Sequence, residues 1–333
     1  MVKNLTEGKP LPLLFFFALP MVAGNLFQQL YNMVDTAVVG KFVGEDAVAA
    51  VGSSFPIVFL SVAVASGLSM GCTVVVSQLF GAGRIHEMKT TISTAIISLS
   101  VLGLIIMGLG TVFAGPLLHL LGTDPDIMAD SELYLQIYFG GAVFLFLYNT
   151  LNGIYNAQGD SKTPLIFLII SSLTNIVLDL LFVGVLRMGV GSAALATAIS
   201  QAASALLCFI RLVRTNDIYQ VKIREIRFHP AQLRQIISFG LPSGLQNSII
   251  SIANIVVQSN INKFGVMAVA GCGVYSKIEG FAFLPVTCFT MAITTFVGQN
   301  LGAKQYDRAK KGAKFGILCS ISIAELIGIT IYT

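Results

Sequence analysis

Four of the 16 carboxylates in this 333-residue chain fall inside long apolar stretches: Asp35, Asp179, Glu279 and Glu325. An ionised carboxylate in hydrocarbon costs roughly 3 kcal/mol even on lenient insertion scales, so each position marks a candidate site. Asp35 and Asp179 share a depth. Asp35 lies six residues before Lys41 and Asp179 eight before Arg187, which at 1.5 Å per helical residue sets both roughly 9–12 Å below the same flank. Asn175 stands one helical turn before Asp179 on the same face. Thr197, ten residues past Arg187, returns to a similar level. Two carboxylates, an amide and a hydroxyl converging at one depth offer oxygen ligands to Na⁺, or a place to hold a proton.

Other polar residues in apolar surroundings are candidates for lining a cavity: Tyr31, Asn149, Asn152, Tyr155 and Asn156 in the first half, Gln246 and Asn247 in the second. Helix packing is the alternative role for them. Lys277 and Glu279 stand two apart and so do not face each other on a helix; each is expected to meet a partner elsewhere in the bundle or water. The five cysteines are scattered singly without CxxC spacing, and the three histidines lack an HExxH context. No metal other than a Na⁺ ion is expected. Walker and GxGxxG glycine patterns are absent too, so neither a nucleotide cofactor nor an enzymatic activity is expected.

The elements that position these residues follow from composition. At 55% hydrophobic and 11% charged, with a mean hydropathy of +0.82, the chain lies far from soluble domains, which carry about 25% charged residues. Nine stretches reach the ~20 residues a membrane helix needs: roughly 13–39, 50–76, 92–118, 133–157, 164–186, 192–213, 236–261, 270–297 and 313–333. The first is too long for a signal peptide, although Lys3 and Lys9 precede it. With the N-terminus cytoplasmic, only Lys41, Arg187 and Lys263 fall outside and Lys277 within a span, and every other Lys and Arg falls inside. The net charge of +4 is thus a topology signal, with no nucleic-acid partner implied. Residues 214–235 read as a basic cytoplasmic linker whose charges set topology, with an amphipathic surface helix as the alternative.

An internal repeat organises the chain. FALP at 17–20 returns as FGLP at 239–242, GKFVGEDAVAAVG at 40–52 as NKFGVMAVAGCG at 262–273, and SQLFGAG at 77–83 as GQNLGAK at 298–304. All three pairs share an offset of 221 to 222 residues. Six spans separate the copies, so both halves face the same way, related by a pseudo-twofold axis along the membrane normal. The fold expected is all-α: two pseudo-symmetric six-helix bundles, 1–213 and a partial 236–333. The second copy is about 100 residues and three helices shorter than the first, so a C-terminally truncated product is expected. Pro20 and Pro242 recur within apolar helices, where a proline permits a hinge. The pairs Gly67/Gly71, Gly240/Gly244 and Gly298/Gly302 would let helices approach closely.

The paired halves, the opening LPMVAGNLFQQLYNMVDTAVVGKFVG and the QLFGAG and QNLGA blocks resemble the multidrug and toxic compound extrusion (MATE) family over essentially the whole chain. The resemblance implies a cation-coupled antiporter in a bacterial inner (plasma) membrane. It would export drug-like, often cationic molecules in exchange for Na⁺ or H⁺, as a monomer surrounded by lipid. In the family's prokaryotic members the positions matching Asp35, Asn175, Asp179 and Thr197 line a cation site in the first lobe. The repeat agrees, because Asp35 falls on Val257 in the second copy: the scaffold is duplicated and the charge is not. Some members carry a glutamate in the seventh span, where this chain has LPSGLQNSIISIANIV and no acid. Two other functions are alternatives: a lipid-linked oligosaccharide flippase of the same superfamily, which would need cationic residues for pyrophosphate, and an intramembrane aspartyl protease, whose GxGD context is missing around both aspartates.

Overall fold

The computed structural model describes residues 4–332 apart from 216, 262, 263 and 265; at 45, 255, 258, 259, 266–279, 281 and 330–332 it describes the backbone alone. Lys277 and Glu279 therefore lie outside the described side chains. Every regular element among the described residues is helical. In order these are α1 (Pro10–Phe42), α2 (Glu45–Gly81), α3 (Ile85–Leu120), α4 (Pro125–Gly140), α5 (Ala142–Ala157), α6 (Lys162–Asp179), α7 (Gly191–Arg214), α8 (Pro230–Ile261), α9 (Val266–Gly302) and α10 (Tyr306–Tyr332). Eight of the described helices are long and apolar enough to cross a membrane, and α4 with α5, bent by 48°, make a ninth when taken as one span. The bend falls where Gly141 leaves room for Ala198 of α7. The protein is an all-α polytopic membrane protein.

Local sequence explains the helix ends. Asp124 caps α4 by accepting from the Asp126 N–H at 3.0 Å, with Pro125 in the first turn. The repeated blocks end their helices alike: Gly83 after α2 has φ +68° and its counterpart Lys304 after α9 has φ +59°, the left-handed closure typical of a helix C-terminus.

The seventh helix turns small residues inward and branched ones outward. On α7, Ala193, Ala194, Ala196, Ser200, Ser204 and Ala205 are buried while Ile199, Leu206 and Ile210 are exposed. That is how membrane helices pack, since lipid is as apolar as leucine and close backbone approach supplies the attraction. Within the first half, α1 packs on α6, α6 on α7, α7 on α4 and α5, and α3 on α4 and α5. In the second, α9 packs on α10, while α8 lies mainly along α2.

The halves meet through the glycines. A Cβ on Gly67 of α2 would collide with the backbone of Gly244 on α8, and one on Gly71 with Gly240. Farther along, Gly81 abuts the backbone of Gln299, and Gly302 abuts the backbone of Gln78. With an offset of 221 residues these two contacts are the same contact exchanged between copies, the self-complementary pattern a twofold relation imposes.

Between α7 and α8 the only regular element among the described residues is a 3₁₀ turn, Ile223–Glu225. No amphipathic surface helix is formed there among the described residues. Tyr219 and Val221 are instead buried beside Leu212 and Ile236, and α8 begins at Pro230, inside the range expected for the linker. Proline suits that first helical position, where its missing N–H is not needed.

Candidate functional site

Asp35 stands in the last third of α1. Asp179 is the final residue of α6, where the helix passes into a π turn, Leu180–Val185. Such turns are frequent at functional sites because the extra residue re-aims neighbouring side chains. The two carboxyl groups come within hydrogen-bonding reach of each other. Neither oxygen of Asp179 has a donor, nor do Asp35 Oδ1 and Asn175 Oδ1, and all four atoms are buried. Asn175 turns its amide nitrogen away, donating to Thr197 Oγ1 at 3.4 Å. The result is a nest rich in acceptors and poor in donors. A desodiated, deprotonated pair would repel across a medium of low dielectric, whereas a proton or an oxygen-seeking cation would satisfy the orphaned atoms together.

A cavity of about 930 Å³ opens beside this nest, walled by α1, α2, α4, α5, α6 and α7, with Gly280 and Met291 from α9. Asp35, Asn175 and Thr197 are on its wall; Asp179 is not. Asp35 therefore belongs to both the acceptor nest and the cavity. Of the expected lining residues, Tyr31, Asn149, Asn152 and Asn156 do line it. Asn156 donates to Asn152 Oδ1 at 2.9 Å, joining one helical turn to the next. The wall includes no Lys or Arg among the described residues. Met33, Phe55 and Phe59 on the wall are exposed, while the packed glycines of α2, α8 and α9 close the opposite, basic end.

The other expectations fall elsewhere. Tyr155 is fully buried away from the cavity, its hydroxyl donating to the Cys208 carbonyl at 2.8 Å and its ring edge-on to Tyr219. On a helix, position 155 points about 100° away from 156, so the amide face and the tyrosine face of α5 differ. Gln246 and Asn247 on α8 do not line the cavity, and Gln246 is exposed. Glu325 on α10 is exposed as well. Pro20 lies on the cavity wall within an unbroken α1, and Pro242 is exposed within α8. Sequence reasoning missed Tyr134 and Tyr138, which line the cavity one turn apart on α4. Their four-residue spacing in SELYLQIYFG was the available signal.

Comparison with known proteins places this arrangement. The MatE family matches residues 20–181 and 242–333. The chain is 29% identical over 323 residues to the probable multidrug resistance protein YoeA of Bacillus subtilis, covering 95% of this chain and 70% of that protein. It is 30% identical to YpnP of the same organism, covering 90% and 67%. A solved structure described as the outward-facing conformation of a multidrug resistance MATE family transporter of the MOP superfamily superposes with a TM-score of 0.89 at 26% identity, over 98% of this chain and 72% of that one.

Proposed function

This chain belongs to the MatE family of multidrug efflux transporters, and from that premise we propose that it is a secondary active antiporter exporting drug-like, often cationic organic compounds in exchange for Na⁺ or H⁺. One observation carries the proposal: Asp35 is shared between the acceptor nest with Asp179 and the wall of the cavity. A cation bound by Asp35, Asp179, Asn175 and Thr197 neutralises the charge that a cationic compound in the cavity would otherwise meet. The two occupants then compete for one carboxylate, which is the coupling an antiporter needs. Neutralisation also removes the penalty of the buried charge, so the position of α1, with Pro20 as its hinge, responds to occupancy. On this reading residues 1–213 form the lobe that carries the site, 214–235 the linker, and 236–333 belong to the second lobe.

The absence of Lys and Arg from the described cavity wall speaks against a flippase for pyrophosphate-linked sugars, whose substrate would need paired cations there. A protease reading finds no support in the cavity, because only one of the two aspartates reaches it. Efflux from vesicles with an imposed Na⁺ or pH gradient tests the proposal. Asp35→Asn should abolish gradient-driven export while leaving folded protein in the membrane, and retained coupled export would overturn it.

A further inference from the structure

The chain ahead of α1 is built into the molecule. Asn4 Oδ1 accepts from the Thr6 N–H at 3.0 Å and from its hydroxyl at 2.6 Å, a local turn that pre-shapes the segment. Leu5 is fully buried among Leu14 and Phe17 of α1 and Phe289 and Phe296 of α9. Its N–H donates to Gln299 Oε1 at 2.9 Å and its carbonyl accepts from Asn300 Nδ2 at 3.2 Å. Arg308 of α10 donates to three carbonyls of the same strap: Leu5 at 3.2 Å, Glu7 at 2.9 Å and Gly8 at 2.5 Å. Its guanidinium also stacks 5.5 Å from the Phe296 ring centre. Gln299, fully buried, donates from Nε2 to the Ala157 carbonyl at the end of α5, at 2.8 Å. One amide thus ties the strap, α9 and the first half of the chain together.

The duplicated scaffold does not account for this seat. By the repeat offsets, Leu5 corresponds to the exposed Arg227, Asn300 to Leu79 and Arg308 to Glu87; only Gln299 keeps its counterpart, Gln78. The polar keepers were added on one side only, as Asp35 was.

We infer that residues 4–9 are a latch that holds the two halves together at the basic end, and that its release accompanies opening of the cavity to that side. Every bond made by Asn300 and Arg308 to the strap, and both bonds of Gln299, join the second half to the first. Separating the halves there breaks them all: the buried Leu5 N–H and carbonyl and the Ala157 carbonyl would be left unpaired, while the exposed Glu7 and Gly8 carbonyls would pass to water, so the buried bonds resist opening together. The strap runs straight into α1, which carries Pro20 and Asp35, so a change of α1 at the cation nest has a direct mechanical path to the latch. This inference rests on the antiporter reading of the cavity, in which access must alternate between the two ends.

The test reads the seam directly, independently of any substrate or ion. Spin labels at His86 and Gln305, both exposed and on opposite halves at the basic end, report their separation in liposomes by double electron–electron resonance on the full chain with its native cysteines replaced. Arg308→Ala should raise the population of a longer distance by about tenfold relative to the unsubstituted latch, the effect of losing one charge-assisted set of bonds. Arg308→Lys, which keeps charge but cannot fork to three carbonyls, should shift it less and in the same direction. Cysteines placed at Leu5 and Asn300 should, when oxidised, hold the short distance alone and stop export, and reductant should restore it. An unchanged distance distribution in folded Arg308→Ala protein would overturn the latch, as would undiminished export by the oxidised pair. Distances that respond in a protein that exports nothing would leave the latch standing and bring down the antiporter reading instead.

Discussion

Asp35 on α1 and Asp179 on α6 turn their carboxyl groups toward each other, and neither oxygen of Asp179 has a donor from the protein. Buried acceptors without donors cost about 1–3 kcal/mol each, and more when charged. Under the antiporter proposal, a bound cation or proton would offset that cost.

Neutral amides at the two positions should therefore separate function from folding. Asp35→Asn and Asp179→Asn should each reduce gradient-driven export by about 100-fold, the loss of roughly 2.7 kcal/mol of coupling. The measurement is drug flux in proteoliposomes at matched protein density; export within a factor of a few of the parent would exclude these residues from coupling.

Stability should move the other way. The amide of Asp179→Asn can donate to Asp35 and removes a like charge, so the thermal midpoint should rise by about 2–4 °C for each kcal/mol recovered. A midpoint that falls instead would mean that Asp179 is paired in the native membrane by something other than the coupling ion.

The coupling ion should itself stabilise the fold. An ion that binds only the native state adds about 2.7 kcal/mol at a hundred times its dissociation constant. Thermal midpoints taken against Na⁺ at fixed pH, and against pH at fixed Na⁺, will show which ion does so. Asp35→Asn should erase that response, and a response that survives it places the ion elsewhere.

On α5, adjacent residues should differ in kind. Asn152→Leu, on the cavity wall, should alter which compounds are exported with little change in stability. Tyr155→Phe, which removes the bond to the Cys208 carbonyl, should cost about 1 kcal/mol of stability and leave the export profile intact. Profiles of both variants across a panel of cationic dyes settle it.

Seam glycines should tolerate nothing larger. Gly71→Val puts branched carbons into the backbone of α8 and should prevent accumulation of folded protein, whereas Gly52, with open space around it, should accept alanine with no loss and a gain of about 0.5–1 kcal/mol in helix propensity. Size-exclusion profiles of the detergent-solubilised variants distinguish them.

Much of the site was legible in one dimension. Counting residues from Lys41 and Arg187 put Asp35 and Asp179 at one depth, and the i, i+4 rule put Asn175 beside Asp179; both relations depend only on helix rise and pitch. For Tyr155 the sequence left cavity lining and helix packing both open, because depth says nothing about rotation. Tyr134 escaped notice because aromatic side chains are common in apolar spans and carry no energetic flag.

What the sequence determined by itself was the set of spans and their duplication, since hydropathy runs and repeated blocks are properties of the chain read along its length. What only the tertiary structure decided was which side of each helix meets a partner: that Asp179 faces Asp35, that Gln246 stays exposed, and that Leu5 is seated by Gln299 and Arg308. The reason is physical. In a membrane the surroundings of a helix are apolar on every side, so hydropathy cannot tell lipid from protein, and the rotation of each helix is set by small residues and buried hydrogen bonds that exist only once the helices have packed.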